Sequence, residues 1–157
     1  MENTNIDGGK LFIALPGGFA ILTPAELQAL YGMDYDGMWG ARDEARHMLV
    51  TVIWKDSGGL ATKLADEKSL AKRVEKALSK TYRRLGYRCD GLLETRIAGR
   101  EAHGFRYSYQ PEGISQSCEV VVFKDGKRCY TLYYYTRLEV ALENRPIYDS
   151  LLASLVL

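Results

Sequence analysis

Cys118 to Arg137 restricts what this chain can become more than any other stretch. Two β-rich runs, Cys-Glu-Val-Val-Val-Phe-Lys and Lys-Arg-Cys-Tyr-Thr-Leu-Tyr-Tyr-Tyr-Thr-Arg, flank Asp125-Gly126. Asp-Gly between such runs predicts a β-hairpin, because a type I′ turn needs positive φ at both central residues. With Asp125-Gly126 as the turn, Lys124 faces Lys127 and every later pair follows. One face then carries Val120, Val122, Cys129, Thr131 and Tyr133. The other carries Val121, Phe123, Tyr130, Leu132 and Tyr134. Both faces are apolar, so both must be covered, by helices, by another sheet or by a partner chain.

The chain has 157 residues, a length that suits one domain with its own core and needs no covalent staple. Hydrophobic residues at 46% and charged residues at 26% are globular proportions. Eleven tyrosines against four phenylalanines suit half-buried sheet positions and contact surfaces. A formal charge of +1 gives no general attraction to nucleic acid, and no nucleic-acid partner is expected. Positive charge does gather between Leu60 and Asp90, where nine Lys or Arg stand against four Asp or Glu. Lys72, Lys76, Arg83 and Arg84 form the candidate basic patch, read either as a solvated helix face or as a surface for an acidic partner. Cys89, Cys118 and Cys129 are odd in number and lack CxxC spacing, which predicts reduced thiols rather than a disulfide framework. No run approaches the length of a membrane span, and the first residues lack a signal-peptide pattern. The expectation is a cytoplasmic protein, with an exported segment lacking its signal as the alternative.

Residues 1–9 are polar and glycine-rich and are expected to fray; residues 10–157 are expected to form one α+β domain. Leu11 to Leu15 and Phe19 to Leu22 are strand candidates around a Pro16-Gly17-Gly18 turn. Thr23-Pro24-Ala25-Glu26 is a helix start, with Thr23 as cap, Pro24 at the first position and Glu26 closing a capping box. Gly32 ends that helix. Met33 to Asp43 reads as a loop or irregular strand, and His47 to Lys55 as a strand apolar on both faces. Leu70, Val74, Ala77, Leu78, Thr81 and Leu85 share one face of a helix over Asp66 to Leu85, stopped by Gly86. Leu92 to Ile97, a tight Ala98-Gly99 turn, Arg100 to Gln110 and the hairpin form a meander. A last helix is expected to begin at Pro146.

Motifs for chemistry are sparse. His47 follows Asp43 and Glu44, but that spacing at a strand start does not orient an acid–base dyad. His103 shares a strand face with Phe105, Tyr107 and Tyr109, and packing explains it. Asp34-Tyr35-Asp36-Gly37 lacks the later ligands of a calcium loop. The glycine pairs lack the Lys-Ser/Thr of a phosphate loop, and no serine sits in a GxSxG elbow. No catalytic residue, metal site or cofactor is predicted. The candidate binding residues are aromatic: Trp39, Tyr107, Tyr109, Tyr133 and Tyr135, with His47 beside them.

The order of elements resembles the PsbP/Mog-type superfamily. Ile13-Ala14-Leu15-Pro16-Gly17-Gly18-Phe19 is similar to its opening aliphatic-x-Leu-Pro-x-Gly-Phe. The strand Met48 to Trp54, the long amphipathic helix, "Ile97-Ala98-Gly99-Arg100-Glu101-Ala102", "Phe105-Arg106-Tyr107-Ser108-Tyr109", the hairpin and a terminal helix follow in the same order. The resemblance spans nearly the whole chain. It implies a central antiparallel sheet of about six to seven strands with helices on both faces. Members include an extrinsic photosystem II subunit, a Ran-binding protein, and bacterial lipoproteins and secretion-effector chaperones. A non-enzymatic protein-interaction module, adaptor or chaperone-like, is therefore the expected function, with a protein partner. The alternative is a small-ligand-binding or enzymatic domain whose pocket lies between the sheet and residues 33–43.

Overall fold

The computed structural model describes residues 3–32, 37–56 and 65–157. Its centre is a seven-stranded, fully antiparallel sheet in the order β3-β4-β5-β9-β8-β7-β6. The strands are β3 (Ala20–Ile21), β4 (Met38–Asp43), β5 (Met48–Asp56), β6 (Arg88–Ile97), β7 (Arg100–Tyr109), β8 (Gln116–Asp125) and β9 (Arg128–Arg137). A second ribbon pairs β1 (Asn3–Asn5) with β2 (Phe12–Ala14). Among the described residues three α-helices pack with it: α1 (Pro24–Tyr31), α2 (Glu67–Thr81) and α3 (Ala141–Ser154).

The β8–β9 hairpin is apolar on both faces, as predicted, but its register differs by two residues. Asp125 pairs with Arg128 and Lys124 with Cys129, so Gly126-Lys127 forms the turn. Only Gly126 takes positive φ, at 58°, which suits the first position of a type II′ turn. Cys118 therefore opposes Tyr135 rather than Tyr133, and Cys129 opposes Lys124 rather than Val122. A slip of two preserves both faces because side chains alternate with period two. The I′ conformation falls instead at Ala98-Gly99, with φ of 51° and 76°.

The two faces build two cores. On one, α3 and the β1–β2 ribbon cover Val50, Val52, Val121, Phe123, Leu132 and Tyr134, and Tyr148 stacks on Tyr134 at 3.8 Å. Buried Asn144 ties α3 to the sheet, donating to the Arg46 carbonyl at 2.8 Å and Thr136 Oγ1 at 2.9 Å. On the other face, α2 lies over Phe105, Tyr107, Cys118, Val120 and Val122. α1 covers the β4 end of that same face, where Gly40 leaves room for Leu22 and Leu27. All three cysteines are free thiols.

Both predicted helix starts on this face hold. Thr23 closes a capping box with Glu26, and Asp66 caps α2 through the Ser69 amide at 2.7 Å. Thr23→Ala should cost about 1 kcal/mol, read as a lowered midpoint in urea unfolding.

Three expectations are corrected. The start of the last helix at Pro146 fails, because α3 begins at Ala141 and holds Pro146 inside it. The N–H that proline lacks would have bonded the Leu142 carbonyl, and both residues lie on the exposed side, where that carbonyl is open to solvent. Residues 3–9, the described part of the end expected to fray, are held in place. Asn3–Asn5 pairs with β2, Ile6 is buried, and Asp7 holds Arg128 and Tyr130. The segments at 11–15 and 19–22 are not partners either, since β2 joins β1 and β3 joins β4. Residues 33–36 and 57–64, which include most of the Asp34–Gly37 turn and the Ser57-Gly58-Gly59 strand end, lie outside the described residues.

Candidate functional site

A cavity of about 500 Å³ opens on the α1/α2 face, at the sheet end where β5 and β8 begin and β7 and β9 finish. Tyr109 and Tyr135 come from strands. Tyr31 comes from the last position of α1, and Tyr82 from the residue that caps α2. The helices therefore deliver two rings and the sheet two more. Leu30, Met48, Leu49 and Pro111 add apolar wall, and Gln116 an amide.

The rings are organised rather than loose. Tyr82 stacks on Tyr109 at 4.2 Å between centroids. The Tyr82 hydroxyl interacts with those of Tyr109 and Tyr135, and Tyr135 with Tyr31. Tyr31 shares a short hydrogen bond of 2.5 Å with Thr51 Oγ1. Burial pushes the hydroxyls of Tyr82, Tyr109 and Tyr135 above the ordinary tyrosine value, so they stay neutral donors and acceptors at any physiological pH.

Charge at the wall is mostly committed. Arg42 pairs with Glu26 at 3.0 Å and Glu44 at 3.4 Å. Asp43, nearly fully buried, accepts from Arg46 at 2.8 Å. Arg137 differs: its ion pair is with exposed Glu139 at 3.8 Å, beyond hydrogen-bond length. His47 stands on the rim at φ 58°, in the turn between β4 and β5.

Of the residues singled out from sequence, the structure brings His47, Tyr109 and Tyr135 to this cavity. Tyr107 lies on the same face but is fully buried in an aromatic stack with Phe105 and Tyr87. Tyr133 packs near Tyr31 at 6.5 Å. Trp39 is on the opposite face, in the α3 core, because it pairs across β5 with Val52 rather than with Thr51. The cavity lies in the gap between the ends of α1 and α2, with Arg42 and Asp43 on its wall; part of the 33–43 segment against which a pocket was expected lies outside the described residues. Lys72 borders a smaller cavity of about 210 Å³ between α2, β6 and β7. Lys76 is exposed on α2, and Arg83 and Arg84 are exposed in the 3-10 turn after it. Sequence reasoning missed Tyr31, Tyr82 and Arg137, which sit at element ends, where periodicity assigns no face.

Among the described residues no three His, Cys, Asp or Glu side chains converge as metal ligands. No described helix is long and apolar enough to cross a membrane.

No family model matches the sequence, and no curated protein matches it. Solved structures do match. Cyanobacterial PsbP (CyanoP) from Synechocystis superposes with a TM-score of 0.64 at 14% identity, over 92% of this chain and 85% of that one. The chain has the PsbP/Mog-type fold. The Ran-binding protein Mog1p of Saccharomyces cerevisiae shares it with a TM-score of 0.60 at 7% identity, over 99% and 95% of the two chains. LpqN of Mycobacterium tuberculosis, involved in cell envelope biogenesis, gives 0.59 at 13% identity, over 93% and 82%. At these identities the PsbP/Mog-type likeness concerns the path of the chain and not its side chains.

Proposed function

We propose that this chain is a non-enzymatic protein-interaction module that docks its partner at the sheet end around the tyrosine-lined cavity. One observation carries the reading. Of the exposed large apolar side chains, Leu30, Leu85, Ile114 and Leu138 belong to the segments framing that end, and Leu142, 91% exposed, follows on the outer side of the first turn of α3. Leu30 lines the cavity itself. The Leu85 carbonyl accepts from Gln110, and the Leu138 amide donates to the Ser115 carbonyl, which holds the framing loops together. Exposed apolar clusters rimmed by polar groups are a recurrent feature of protein contact sites. A fold shared with a Ran-binding protein supports a binding role.

Site-specific photo-crosslinking in source-cell lysate tests the proposal. A crosslinker at position 142 should give a discrete adduct, and Leu138→Asp should abolish it. The same group at Leu92, 64% exposed on edge strand β6, should give none. Equal adducts at both positions, none at 142, or indifference to Leu138→Asp would reject this docking surface.

A further inference from the structure

The cavity has its own chemistry, separate from the apolar rim. Its volume of about 500 Å³ is that of a small-molecule site. Flat rings from Tyr31, Tyr82, Tyr109 and Tyr135 line it, which favours a flat apolar body. The sign of the remaining charge selects the head group. Arg42 and Asp43 are each engaged by partners within 3.0 Å, whereas Arg137 has no hydrogen-bonded counter-ion among the described residues. A guanidinium in that condition forms two parallel bonds to a carboxylate with little rearrangement. Glu44 and Asp43 on the same wall are paired with Arg42 and Arg46, so the single charge of Arg137 is what remains to be matched, which suits a monoanion better than a dianion such as phosphate. The tyrosine hydroxyls and the Gln116 amide add neutral donors.

We propose that this cavity binds a monocarboxylate with a flat apolar body, its carboxylate on Arg137 and its body against Tyr109 and Tyr135. Two sources share that chemistry: a free organic acid, and an aromatic residue at the C-terminus of a polypeptide. The proposal goes beyond the docking role and does not need it, since the probes below bind without any partner.

The test titrates the whole protein with phenylacetate and with phenylacetamide, following tyrosine ring resonances by NMR. A parallel pair is the peptide N-acetyl-Gly-Gly-Phe with a free carboxylate or a C-terminal amide. In at least one pair the acid should bind roughly tenfold or more tightly than the amide, the effect of a charge-assisted bond. Arg137→Met should erase that preference. The variant should keep its melting temperature, because the native residue makes only an exposed 3.8 Å ion pair. Arg137→Lys should recover part of the preference. A tighter peptide acid would assign the site to chain termini, and a tighter phenylacetate to free acids. Equal binding of acid and amide, no binding of either acid at millimolar concentration, or a preference surviving in Arg137→Met would overturn the proposal. Loss of crosslinking at position 142 with acid binding intact would sink only the docking role.

Discussion

Gly104→Ala should cost about 3 kcal/mol or more, the upper end of what overpacking exacts. Gly104 lies inside β7, opposite Val121 of β8 and Leu93 of β6. A Cβ there would stand 1.8 Å from the Val120 carbonyl oxygen and 2.9 Å from its carbon. Both are backbone atoms of a central ladder, so no rotamer change relieves the clash and the strands must part. Domains of this kind are stable by only about 5–15 kcal/mol, so such a loss removes a large share. Gly86→Ala is the contrast. It sits at φ 70° with nothing within 4 Å of the added carbon, and should cost only about 1 kcal/mol through backbone strain. Urea unfolding of both variants decides the matter, and equal midpoints would refute the packing argument.

Asp7→Ala should cost roughly 2–3 kcal/mol. The carboxylate is 1% exposed. It accepts from the Tyr130 hydroxyl at 2.6 Å, Arg128 at 3.1 Å, the Gly9 amide at 2.9 Å and the Leu11 amide at 3.2 Å. Truncation strands the Tyr130 hydroxyl and the Leu11 amide at once, while the exposed Gly9 amide turns to water. Arg128 keeps a second partner, Asp56, at 2.7 and 2.9 Å, which limits the loss. Burial alone would raise the Asp7 pKa, but the bonds from Tyr130, Gly9, Leu11 and Arg128 outweigh it and hold the group below the ordinary carboxylate value. Its contribution is therefore complete above the unfolded carboxylate pKa of about 4 and is lost as pH falls through the lower folded value. Asp7→Asn should flatten the acid limb of stability against pH while leaving its shape above pH 6 unchanged. An identical acid limb in variant and wild type would show that Asp7 is not the group responsible.

Legibility from sequence followed the range of the physics. Thr23 with Glu26 and the left-handed Gly32 are local devices, read correctly because their partners lie within one turn. Hairpin faces were also legible, since alternation survives a slip of two. The turn type was not: a II′ turn at Gly126-Lys127 and a I′ turn at Asp125-Gly126 leave the same residues on each face. The start of α3 was misplaced because Ala141 has no side-chain cap to announce it, while Pro146 imitates a first-turn proline. Asp7 was hidden because its partners Arg128 and Tyr130 are distant in sequence.

The sequence by itself determined most of the elements and the two-faced sheet, and hence that both of its faces must be covered. Periods of 2 and 3.6 and terminal caps are local properties, and burial acts on them directly. Only the tertiary structure decided which side chains meet. Trp39, read in a loop or irregular strand, and Tyr135, read in the hairpin, were both candidate binding aromatics, yet strand order puts one under α3 and the other beside Tyr82 and Tyr31. Arg137 is left as the lightly paired cation of the cavity because Arg42, Arg46 and Arg145 find carboxylates across elements, a matter of distances that no periodicity encodes.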